Sequence, residues 1–150
     1  MPNWCQNVAI FSHTDEKMMA KLRQNIDDKC LLNGFIPRDD NEQDWYNWSL
    51  ENWGTKWEID IEEINSEKDK IEIKFNSAWY PPINFYKTMV GMGFNIRASY
   101  LEYGMGLVGQ FIDGELDHYD LCFEKYEELP EFILSYFRED IEGYKEMLLG

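Results

Sequence analysis

The sequence predicts an α+β domain, an antiparallel sheet carrying helices, and three observations carry that prediction. Two runs alternate apolar and polar residues on either side of a turn cluster, WEIDIEEI at 57–64 and IEIKF at 71–75. That is the period of a half-buried strand and its hairpin partner. Asp113-Gly114 separates two further alternating runs, a strong hairpin signal. Met18, Met19, Leu22 and Ile26 recur instead at the spacing of one helical face. A chain of 150 residues with Trp 6, Tyr 9 and Phe 9 suits a single domain with a full core, and its aromatic content excludes a disordered chain.

The elements follow in order. Gln6 to Phe11, with the apolar run VAIF, forms a buried first strand. Thr14 is positioned to cap a helix over about 15–30, which Asn33-Gly34 and then Pro37 terminate. Residues 38–57, RDDNEQDWYNWSLENWGTKW, hold four tryptophans and a run of acids with no clean period. They read as a long Trp-rich loop with a helical turn, and a loop of that length is functional or packed by its own side chains. After the 57–75 hairpin, Pro81-Pro82 opens a helix over about 82–91, proline being suited to a first turn. Three strands follow, at about 95–102, 106–113 and 116–123, and Pro130 starts a last helix whose apolar face includes Ile133, Phe137 and Ile141. The first six elements, β-α-β-β-α-β, match the split βαβ or ferredoxin-like plan. The full expectation is a ferredoxin-like βαββαβ core with extra antiparallel strands and a C-terminal helix, with the helices packed on one face.

Charge is the most unusual bulk property, with a formal net of −15. Residues 1–38 and 73–112 are close to neutral, whereas 39–72 and 113–150 each carry twelve acids and three bases. This balance argues against gripping nucleic-acid phosphates or anionic membranes. It favours steering toward a basic protein surface. No run is long and apolar enough for a membrane span. The opening MPNWCQNVAIFSH lacks the basic and apolar regions of a secretory leader. Together with three scattered cysteines, this predicts free thiols and a cytoplasmic location, the host cytoplasm if the chain is phage-encoded.

Four stretches, MPNWCQN at 1–7, YNWSLENWGTKW at 46–57, FNSAWYPPINFY at 75–86 and YLEYGMGLVGQF at 100–111, resemble the Api92-like family, also called the YubB ferredoxin-like domain family. These are small proteins of phages and plasmids. The resemblance runs over roughly residues 1–115 and implies a ferredoxin-like fold and a mobile-element origin, with no established activity and no catalytic set. The chain departs from the family pattern at Ser49 and Tyr103, and the acidic extension at 113–150 is particular to it.

Catalytic constellations are weak. Cys5, Cys30, Cys122, His13 and His118 show no metal-binding spacing. Glu62/Glu63 and Glu127/Glu128 are adjacent pairs in polar runs, which suits solvation better than a raised carboxyl pKa. GMGLVG lies between strands with no helix N-terminus to hold a phosphate, so its glycines read as tight turn or close packing. No cofactor and no metal are expected. What remains is binding by acids and aromatics. The candidate contacts are Asp44, Trp45 and Tyr46 in the loop, and Asp117, Asp120, Glu127, Glu128 and Glu131 in the acidic extension. The expected function is that of a non-enzymatic phage-type accessory protein that binds and inhibits a host protein. A component of a restriction, BREX or CRISPR-type defence system is the expected partner, and occlusion of its surface the mechanism. A narrower form is a DNA-mimic decoy. Readings from other classes are a nucleic-acid-binding module and a metal-dependent enzyme on the same scaffold. A homodimer through an uncovered sheet edge is compatible with all of them.

Overall fold

The computed structural model describes residues 3–149, so Met1 and Pro2 of the MPNWCQN stretch and Gly150 lie outside the described residues. The chain is α+β and runs β1 (Trp4–Ser12), α1 (Glu16–Asp27), α2 (Leu31–Phe35), α3 (Trp45–Asn52), β2 (Asp60–Ser66) and β3 (Ile71–Ala78). It continues through α4 (Ile83–Gly91), β4 (Asn95–Glu102), β5 (Leu107–Ile112), β6 (Glu115–Asp120), a 3-10 turn (Tyr126–Glu128) and α5 (Glu131–Leu149). The strands form one antiparallel sheet in the order β2-β3-β1-β4-β5-β6. The first four strands follow the ferredoxin-like arrangement, with β3 inserted between β2 and β1, and β5 and β6 extend it beyond β4. Among the described residues, no helix is long and apolar enough to cross a membrane.

The sheet is covered on both faces. Successive residues of a strand point to opposite faces, and in β1, β4 and β5 each set includes buried apolar residues. Ala9, Phe11, Ile96, Ala98 and Phe111 join Met19, Leu22, Phe85 and Met89 of α1 and α4 in one core. Val8, Leu101 and Val108 point the other way and meet Ile133, Phe137 and Ile141 of α5. The expectation of helices on one face is therefore corrected. Three adjacent strands present apolar side chains on both sides, and the second side needs its own cover. The acidic extension is for the same reason part of the fold, because it supplies Leu121, Leu129 and the whole inner face of α5.

Four local expectations also change. The cap of α1 is Asp15 and not Thr14: Asp15 keeps extended backbone and its Oδ1 accepts from Lys17 N at 2.9 Å. Asn33-Gly34 does not end that helix. Lys29, at φ 57°, breaks the chain first, and a second short helix starts where the Glu58 carboxylate accepts from Leu32 N (2.8 Å) and Asn33 N (3.0 Å). The Trp-rich loop contains α3, two turns long. Trp48 packs edge-on against Trp53, centroids 5.2 Å apart, and Trp53 Nε1 donates to Ile36 O at 3.0 Å. Finally, β2 is an exposed edge strand and not half-buried. Its register shifts between Ile61 and Glu63, so alternation in the sequence does not become alternation against the core.

Because α5 closes the second core, Ile133→Ala should cost about 2–5 kcal/mol of stability by leaving a cavity, read as a lower midpoint in urea unfolding. A loss below ~0.5 kcal/mol would mean that α5 is not packed on the sheet.

Candidate binding site

The register places the start of β1, the ends of β3, β4 and β6 and the start of β5 at one end of the sheet, through Trp4↔Ala78, Cys5↔Glu102, Glu102↔Leu107 and Leu107↔Asp120. The segments leaving this end expose large apolar side chains. They include Trp79, Tyr80, Tyr103 and Met105, while Phe123 is 84% exposed. Trp4, also exposed, packs against Trp57 with centroids 6.4 Å apart.

Buried polar side chains tie the segments together at this end. Asn7 Nδ2 donates to Cys5 O (3.0 Å) and Ser77 Oγ (2.9 Å), Ser77 Oγ donates to Tyr80 O (2.6 Å), and Thr55 Oγ1 donates to Ala78 O (2.9 Å). Trp79 sits between these anchors at φ 68°, in the left-handed region that a bulky residue adopts only when its surroundings force it. The end of α3 is fastened to the start of α4. Asn84 Nδ2 donates to Leu50 O (3.0 Å) and Glu51 O (3.1 Å), and Phe85 N donates to Trp53 O (3.2 Å). Gly54, at φ 86°, passes so close to the Ile83 and Asn84 amides that a side chain would press on them.

Between this junction and strands β4–β6 lies a cavity of about 310 Å³. Leu50 and Gly54 form one wall, and Trp79, Tyr80, Pro81 and Ile83 another. Tyr100, Glu102, Leu107, Leu116 and His118 line it from the sheet. Tyr100, Gly109 and His118 are cross-strand neighbours. The Tyr100 ring lies over Gly109, where any Cβ would overlap it, and its hydroxyl bonds His118 Nδ1. Gly106 similarly makes room for Tyr144, so the glycines of GMGLVG serve close packing. Glu102 is only 3% exposed, and its Oε1 and Oε2 accept from Gly104 N (3.2 Å) and Met105 N (2.7 Å). Burial pushes the Tyr86 and Tyr100 hydroxyls and the Cys5 thiol well above their ordinary ranges, with the neighbouring Cys5 adding to the effect on both tyrosines.

The contacts expected from the sequence are divided among several places. Trp45 and Tyr46 open α3, are 41% and 43% exposed, and meet edge-on at 6.1 Å. Arg38 lies over the rings of Trp45 and Trp53. Asp44 beside them is exposed and accepts from Asn47 Nδ2 at 3.0 Å. Asp117 and Asp120 stand three apart on β6 and so lie on opposite faces. Asp117 accepts from Gln110 Nε2 at 3.1 Å, and Asp120 caps the next turn by accepting from Cys122 N at 2.9 Å. Glu127 and Glu128 are exposed in the 3-10 turn, and Glu131 pairs with Arg138 at 3.4 Å in the first turns of α5. The two acidic blocks contain the opposite edge strands β2 and β6, and α5 of the second block reaches the first, where Tyr136 Oη donates to Glu72 Oε2 at 3.0 Å. Sequence reasoning missed the cavity residues Tyr100, Glu102 and His118. One signal was present: Glu102 is the single acid in residues 73–112.

Among the described residues, no group of three or more His, Cys, Asp or Glu side chains is placed to hold a metal ion. Comparisons with protein-family models, with curated proteins and with solved structures give no match.

The raised tyrosines link the site to stability. Their folded pKa values exceed the unfolded value of about 10, so the stability they contribute is complete below that pH and is lost as pH rises through the folded values. Absorbance at 295 nm should therefore show part of the nine tyrosines ionising late, together with loss of circular dichroism. Ionisation of all of them near pH 10 in an intact fold would contradict the burial.

Proposed function

We propose that the chain is a non-enzymatic binding protein that engages a basic surface of another protein. The supporting observation is the set of half-exposed aromatic side chains, Trp45 and Tyr46 on α3 and Trp79 and Tyr80 at the sheet end, held on well-anchored elements of a chain with net charge −15. Aromatic anchors with complementary charge around them are the usual source of affinity and of fast association. The cover of α5 over the second sheet face supports a protein partner over a nucleic acid. A ferredoxin-like module that stacks bases uses an open sheet face and a basic surface. The phage and plasmid setting implied by the resemblance makes a host defence protein, of the restriction, BREX or CRISPR type, the partner of choice, inhibited by occlusion of its working surface.

A second reading, DNA mimicry, draws on one observation. Asp60, Glu62 and Glu63 lie exposed along edge strand β2, with Glu67 and Asp69 in the turn that follows. This reading requires competition with duplex DNA and a steep loss of affinity with salt.

Affinity capture from host lysate at low salt should recover one stoichiometric protein. Trp45→Ala with Tyr46→Ala should weaken its binding by about 30-fold or more, the loss expected of interface anchors, at unchanged melting temperature. No recovered protein, or undiminished binding by the double variant, would reject the proposal.

A further inference from the structure

The cavity at the sheet end has a chemical character that its position alone does not explain. Its walls are largely aromatic and apolar, yet a carboxylate that is 3% exposed lines it. Among the described residues, no ion pair includes Glu102. Some polar groups of the lining are engaged elsewhere: the Tyr100 hydroxyl with His118 Nδ1, and Asn84 Nδ2 with Leu50 O and Glu51 O. Glu102 has spent one hydrogen bond on each oxygen, and a carboxylate has about four acceptor positions. Glu102 is therefore a buried carboxyl group with acceptor positions left, on a cavity it shares with Trp79, Tyr80 and Tyr100. Turn capping accounts for the two backbone bonds. It leaves a buried carboxyl group beside aromatic rings, a setting that a cation complements. Aromatic faces beside a carboxylate favour an organic cation over a metal ion, because the rings attract the charge and cover the hydrocarbon stem.

We propose that this cavity receives the cationic tip of a partner's arginine or lysine side chain, with Glu102 as counter-charge and Trp79, Tyr80 and Tyr100 as its walls. The inference rests on the binding function proposed above and names the point where a basic partner is gripped. The backbone that presents the Trp79 ring is itself anchored, with Trp79 N donating to Asn3 O at 2.8 Å. Charge complementarity selects the occupant: the chain is strongly acidic overall, and Glu102 is the one acid in residues 73–112.

The test uses two probes of equal shape and different charge, butylguanidinium and its neutral counterpart butylurea, titrated into the full chain by NMR. Butylguanidinium should bind at least about tenfold more tightly, shifting the amides of Gly104, Met105 and His118. Glu102→Gln should reduce its affinity to that of butylurea. Glu102 also caps a turn, so Trp79→Gly provides a second variant. It removes one wall, suits the left-handed backbone and leaves Glu102 in place, and it should likewise weaken the cation by about tenfold. N-acetyl-arginine methylamide should bind as well as butylguanidinium. Equal affinity for the two first probes, or cation binding untouched by both substitutions, would overturn the proposal. So would exclusion of the capped arginine while free butylguanidinium binds. The probes report on the cavity alone, so their failure is distinct from a failure to capture a partner through Trp45 and Tyr46.

Discussion

Strand β1 lies between β3 and β4 and is paired to both over eight residues, and the rest of the structure depends on that double pairing. A strand paired on both sides has no edge to protect, so its side chains are free to be apolar on both faces. Ala9 and Phe11 build the core with α1 and α4, and Val8 builds the core with α5. The same register brings Cys5 opposite Ser77 and Glu102, which makes the start of β1 the floor of the aromatic sheet end. Losing this register by one residue would exchange the two faces and leave both cores with polar groups facing helices.

Local signals in the sequence located most elements and failed where tertiary partners decide. Pro82 and the Asp113-Gly114 turn mark their elements because backbone geometry there is a property of the residues themselves: Pro82 precedes α4, while Asp113 and Gly114 both adopt positive φ. The side of the sheet that α5 covers was not legible, since its apolar stripe reads the same for either face. The alternation in 57–64 suggested a half-buried strand, but with a register shift at the sheet edge only Ile61 of β2 packs against the core and the rest of the strand is exposed. The Trp-rich segment has no period because its tryptophans do different jobs. Trp53 is core, Trp48 braces it, and Trp45 faces solvent. For the site, Trp45 and Tyr46 were readable as aromatics among acids. The cavity was not, because its lining comes from four separated stretches that only the sheet register and the α3–α4 junction bring together.

The distribution of charge takes on a spatial meaning in the fold. The acids of residues 39–72 occupy the α3 side and the β2 edge, and those of residues 113–150 occupy the β6 edge and α5. A basic protein approaching the chain would therefore meet negative potential from several directions, which aids encounter more than it fixes orientation. Orientation needs something directional, and the aromatic side chains at the sheet end and on α3 are the directional groups available. Acids on the two edge strands also discourage edge-to-edge pairing between copies of the chain.

Binding through the aromatic side chains requires α5 to be a permanent cover of the sheet, because a transient one would free a face for a different kind of ligand. Amide hydrogen exchange followed along the whole chain tests this most directly. With α5 permanently docked, its amides from Ile133 to Tyr144 should exchange in the same slow, cooperative class as β1, β3 and β4. Exchange in α5 orders of magnitude faster than in β1, with β1 itself still protected, would contradict it.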